Sequence, residues 1–93
     1  MKIVFKQSFV ISLENQIKFI ALDKPTAAKK FKNDILIALK SILPNPYLYR
    51  KSIYFEDDFI RDYIFKGYTI VFRIAKMQIE VFGFVKFQEK PNT

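Results

Sequence analysis

Only Asp23-Lys24-Pro25 separates two segments with helical periodicity, and so short a link leaves the two helices one arrangement, an antiparallel hairpin. In the first segment Val10, Leu13, Ile17 and Ile20 recur at helical spacing and form one apolar stripe. Glu14, Asn15 and Lys18 lie away from it, and Ser8 stands where an N-cap is expected. The second segment carries Ala28, Phe31, Ile35, Leu39 and Ile42 on one side, with Lys29, Lys30, Lys32 and Lys40 mostly outside. Asp23 is expected to cap this helix, Pro25 sits where a missing N–H costs nothing, and Pro44 ends it. Ala27 and Ala28 permit close approach of the pair.

Strand signals flank the hairpin. Lys2 to Lys6 is β-rich, with Ile3 and Phe5 on one side. Residues 44–54 read as a loop held open by Pro44 and Pro46, and Glu56, Asp57 and Asp58 form an acidic turn after it. Strands are expected at Phe59–Phe65, Tyr68–Ala75 and Gln78–Phe87, with turns at Lys66-Gly67 and Lys76-Met77 and a fraying tail from Glu89. The expected fold is α+β: an N-terminal strand, then a helical hairpin packed on a small, mainly antiparallel, twisted sheet, in the order βααβββ. The whole chain, 1–93, makes one domain.

Alternation sorts the strand residues by face. Tyr68, Ile70, Phe72 and Ile74 share one face, and Thr69, Val71, Arg73 and Ala75 the other. Ile60, Asp62 and Ile64 separate in the same way from Phe59, Arg61, Tyr63 and Phe65. Two helices cover only one face, so apolar and aromatic residues are expected on the open face beside cations. Tyr63, Phe65 and Val71 are assigned to that partner-binding face.

The chain has thirteen Lys, three Arg and a net charge of +7, which attracts anionic partners such as nucleic acid or an acidic protein. It contains no Cys, so disulfide and thiolate chemistry are excluded, and no His, so acid–base work would fall to Lys, Tyr, Asp or Glu. No metal or cofactor is expected. No apolar run approaches a membrane span, and polar residues interrupt any signal-peptide core, so a cytoplasmic protein without a membrane partner is expected. Tyr47, Tyr49, Tyr54, Tyr63 and Tyr68 are read mainly as half-buried rings with wet hydroxyls.

Four stretches taken together resemble the RelE/ParE superfamily, the toxins of bacterial type II toxin–antitoxin pairs. They are Asp23 to Phe31 (D-x-P-x-A-A-x-x-F), Ile60-Arg61, Gly67 to Ile74, and Ile79 to Phe84. The order and spacing of the four carry the likeness over nearly the whole chain. The resemblance implies a small α/β toxin neutralised by an antitoxin that wraps an acidic, amphipathic segment over it. RelE-like members cut messenger RNA in the ribosomal A site, and ParE-like members poison DNA gyrase. The ribonuclease branch implies a base for the ribose 2′-OH, cations for the phosphorane and an acid for the leaving oxygen.

This sequence departs from the ribonuclease pattern. Thr69 stands where an Arg often follows the Gly-Tyr pair, Lys86 stands for a terminal His and Gln88 for a basic residue, and Phe87 lacks the hydroxyl of a Tyr. The expectation is therefore a ParE-like toxin that binds a protein target, with gyrase as that target. Arg61, Arg73 and Lys86 are the candidate catalytic or functional cations, and Arg50 and Lys51 join them as candidate target- or phosphate-binding residues. The alternative is a ribosome-dependent ribonuclease, with Lys86 or Glu56 as base and Arg61 and Arg73 on phosphate. A third reading is a degenerate toxin kept as a binding module. Ordinary pairings compete with each assignment: Arg73 with Glu80, Arg61 with Asp58 or Asp62, and Lys86 as an edge-strand charge.

Overall fold

In the computed structural model, which describes residues 1–86, both helices and all three meander strands form where the periodicity puts them. The chain runs β1 (Lys2–Phe5), α1 (Gln7–Asp23), α2 (Pro25–Lys40), a short 3-10 turn (Pro46–Leu48), β2 (Arg50–Lys51), β3 (Ile60–Phe65), β4 (Tyr68–Ala75) and β5 (Gln78–Lys86). One sheet holds the strands in the order β1-β5-β4-β3-β2. The hairpin carries the chain from β1 to the far side of the sheet, and the antiparallel meander steps back until β5 lies parallel to β1. The expected βααβββ order is observed, with one addition. Residues read as loop contain β2, which pairs Arg50 with Asp62 and Lys51 with Arg61. The expected end of the last strand at Phe87, together with Gln88 and the tail, lies outside the described residues.

The apolar stripe of α1 begins at Phe9 rather than Val10. Phe9 and Leu13 are buried, Ile17 and Ile20 are partly buried, and Val10 is exposed. The cause is the direct passage from β1. Lys6 donates its N–H to Val81 O at 2.9 Å, which fixes the helix entry and turns Phe9 inward, stacked on Phe5 and edge-on to Phe84. Ser8 does not cap α1. Its hydroxyl donates to Phe82 O at 2.8 Å. Phe82 is the extra residue of a β-bulge, because Val71 pairs with Gly83 and Phe72 with Val81. The bulge thus supplies an acceptor that fastens the start of α1 to the sheet.

Asp23 does not cap α2 either, because α1 continues through it. Lys24 alone joins the helices, donating to Ile20 O at 2.9 Å and accepting from the Ala28 N–H at 3.0 Å, and Pro25 takes the first position of α2. Ala28, Phe31, Ile35, Leu39 and Ile42 are all buried, as their spacing predicts. Phe31 packs on Phe65 and Tyr68, and Tyr68 stacks on Phe84 at 4.8 Å. The core therefore lies between the hairpin and the sheet face carrying Tyr68, Ile70, Phe72, Ile74, Ile79 and Val81. Lys66 (φ 46°) and Gly67 (φ 83°) are both left-handed, as a tight two-residue hairpin turn requires. Among the described residues, no helix is long and apolar enough to cross a membrane.

Candidate functional site

The turn at Lys66-Gly67 pairs Phe65 with Tyr68, and this register decides which residues share a face. Odd residues of β3 then stand beside even residues of β4: Tyr63 opposite Ile70, Arg61 opposite Phe72. Tyr63 and Phe65 consequently face the helices, not a partner. Phe65 is buried against Phe31, and Tyr63 packs edge-on to Tyr49 at 5.1 Å. Of the expected partner-binding trio, only Val71 is on the other face, and it is only 2% exposed.

Residues 52–59 lie against part of that face, around Asp62, while Ile64 and Val85 on the same face remain exposed. Ser52 donates to Ile60 O at 2.8 Å, Ile53 donates to Asp62 Oδ2 at 3.1 Å, and the Phe55 ring meets Phe82 edge-on. The Phe59 N–H is held by Asp57 Oδ1 at 2.8 Å, and Phe59 O accepts from the Ile74 N–H at 2.7 Å. The strap is anchored on Asp62, which is buried on this face together with Thr69 and Val71. On this side of the molecule the exposed aromatics are on the strap and the loop before it, Tyr47, Tyr54, Phe55 and Phe59, while Phe5 and Phe19 are exposed on β1 and α1. The Asp62 side chain is fully enclosed, and Oδ2 also accepts from Arg50 Nη2 at 3.3 Å. Its second oxygen, Oδ1, has no hydrogen-bond partner among the described residues.

Of the five candidate cations, Arg50, Lys51 and Arg61 are neighbours on β2 and β3, Arg73 leaves the sheet on the face opposite Arg61, and Lys86 is at the far end of β5. Arg61 makes neither of its expected acidic pairs. Nε donates to Asp58 O at 2.8 Å, Nη1 donates to Tyr49 O at 3.0 Å and Tyr47 O at 3.2 Å, and the guanidinium lies over the Tyr47 ring. Arg50 is held by Asp62, and Lys51 meets Asp58 at 3.1 Å on the surface. Arg73 donates from Nε and Nη2 to Glu80 Oε1 at 3.0 and 2.6 Å, and Gln78 Nε2 donates to Oε2 at 2.6 Å. The Arg73 guanidinium, then the Gln78 amide and the charge of Lys6, hold the Glu80 carboxyl below the usual range. Lys86 stands across from Tyr68, about 17 Å along the sheet from Arg73 at an ordinary strand rise, and has no ion pair among the described residues. Arg61 and Arg73 leave opposite faces, because Arg61 pairs with core-facing Phe72. Thr69 is buried. Tyr68 is buried too, and the loss of water pushes its hydroxyl pKa up.

A separate apolar groove of about 330 Å³ lies on the hairpin side, lined by Phe5, Phe9, Val10, Leu13, Ile17 and Leu36 together with Glu14, Lys18 and Lys32. Sequence reasoning missed this groove, the strap and the role of Asp62. One signal for Asp62 was present: a carboxylate between Ile60 and Ile64 on one face of a strand demands a partner. The two-residue β2 is too short for any periodic signal.

No individual curated protein sequence matches the chain. The family described as ParE toxin of type II toxin-antitoxin system, parDE, matches residues 3–89, a span that takes in the hairpin, the strap and the meander, and the chain belongs to that family.

Proposed function

We propose that this chain arrests growth by binding a protein target in the cytoplasm, DNA gyrase, and that an acidic cognate antitoxin neutralises it. The separation of Arg61, Arg73 and Lys86 carries this reading. Cleavage of RNA needs a base, an acid and phosphate-binding cations converging on one phosphodiester. Here Arg61 is bonded to backbone carbonyls, Arg73 to a carboxylate on the opposite face, and Lys86 is at the far end of the sheet. Binding to a protein surface requires no such convergence.

The partner's chemistry follows from the groove. An apolar channel with Lys18 and Lys32 among its lining residues, on a chain of charge +7, suits the apolar face of an acidic amphipathic helix.

Pulse-labelling of DNA and protein synthesis soon after induction of the chain alone tests the reading. Early loss of DNA synthesis is expected. Early loss of protein synthesis would overturn it in favour of a RelE-like ribonuclease. Unchanged synthesis with soluble protein would leave a degenerate binding module.

A further inference from the structure

Glu80 is more than one half of a cross-strand ion pair. Arg73 stands directly opposite it, and a plain pair would end there. Instead both oxygens are occupied from different directions: two guanidinium N–H groups on Oε1, and the Gln78 amide on Oε2. Lys6, following β1, adds a further favourable charge. The Glu80 side chain is 11% exposed, whereas Arg73 remains 48% exposed. The carboxylate is thus an enclosed anion held by Arg73 and Gln78, of which Arg73 is half exposed.

We propose that Arg73 and Gln78 form an oxyanion site for phosphate groups, and that Glu80 occupies and closes it from within. A carboxylate offers two oxygens on one centre, the arrangement that an edge of a phosphate also offers to a guanidinium and a neighbouring amide. With Glu80 in place, Arg73 is neutralised on the sheet face. Removing the carboxylate frees its N–H groups, the Gln78 amide and a vacated volume at the same point. The ligand is a phosphate-type oxyanion, either a free ion or the backbone of a single-stranded nucleic acid. This inference stands on the geometry of the sheet face alone and is independent of the gyrase reading.

The test uses the full chain and its Glu80→Ala and Glu80→Ser variants, each confirmed folded by circular dichroism and thermal melting. Glu14→Ala, on α1, serves as a control that changes net charge by the same amount as Glu80→Ala. Inorganic phosphate is titrated while the Arg73 Nε–H resonance is followed. A labelled single-stranded RNA is titrated by fluorescence anisotropy.

The expected result is a saturable phosphate-dependent shift at Arg73 in Glu80→Ala and none in the wild type. RNA affinity should rise by about 10-fold or more over Glu14→Ala, the scale of one charge-assisted hydrogen bond between Arg73 and the backbone phosphate, and Arg73→Gln in the Glu80→Ala background should erase it. A phosphate shift without the RNA gain supports the site and assigns it to free anions. An equal RNA gain in Glu14→Ala and Glu80→Ala, with no shift at Arg73, overturns the proposal, since net charge would then explain everything. If Glu80→Ala fails to fold, Glu80→Ser, which also empties the volume of the carboxylate, carries the same two readouts, and no shift at Arg73 in that folded variant overturns the proposal as well.

Discussion

Arg61 is bound by three backbone carbonyls, those of Tyr47, Tyr49 and Asp58, and so ties both ends of the segment that carries β2 and the strap to β3. Lysine carries the same charge but cannot spread donors across that geometry. Arg61→Lys is therefore expected to lower stability by about 0.5–1.5 kcal/mol, the scale of one net hydrogen bond, since only the Tyr49 carbonyl is partly buried, measured by urea unfolding. Stability equal to wild type would mean the charge alone suffices. Gly83 is constrained by its neighbour. A Cβ there would lie 2.9 Å from Val71 Cβ and 3.0 Å from Val71 Cγ2, beside the bulge. Gly83→Ala should cost about 1–3 kcal/mol by overpacking, and Val71→Ala in the same chain should recover part of the loss. Additive losses in the double mutant would place the strain elsewhere.

At the scale of elements, the strap is fastened chiefly through Asp62, which receives the Ile53 N–H and the Arg50 guanidinium. Asp62→Ala should destabilise by about 1–3 kcal/mol and speed hydrogen exchange at the Ile53 amide. Exchange at Ile35, in the core of α2, should change only as far as global stability does. An unchanged Ile53 amide would show that the aromatic contact of Phe55 with Phe82 holds the strap without the carboxylate. The elements themselves were legible to different degrees. The α2 face was readable residue by residue, because Ala28, Phe31, Ile35 and Leu39 at helical spacing admit one buried side, which Ile42 continues just past the helix end. The β3–β4 pairing was also within reach, since a two-residue turn fixes register, yet Tyr63 and Phe65 were assigned to the wrong face by treating each strand separately. The strap was not readable, because it has neither periodicity nor turn signature along most of its length.

For the molecule as a whole, two carboxylates link its parts and set its acid response. Asp34 on α2 accepts from Lys66 at 2.8 Å, in the β3–β4 turn, and from Lys30 at 2.9 Å. Those bonds, with Lys66 first, hold its carboxyl below the ordinary value of 3.8, as Arg73 holds Glu80 below 4.5. Both groups bind a proton more weakly when folded than unfolded. Their stabilisation is thus complete above the ordinary values and is lost as pH falls through the folded ones. The urea midpoint should decline below about pH 4.5, and Asp34→Asn with Glu80→Gln should flatten that decline. An identical acid profile in the double variant would assign the loss to other carboxylates.

The sequence by itself determined the two helices, the three meander strands and the order that places the chain in its family. These rest on periods of 3.6 and 2 and on turn residues, all of them relations between near neighbours. The tertiary structure alone decided which cations are engaged, which sheet face is covered and where a groove remains. Ser8 with Phe82, Asp34 with Lys66 and Arg61 with Tyr47 are contacts across long stretches of chain. No local spacing encodes such partners, because they come into being only when the hairpin, strap and sheet close on one another.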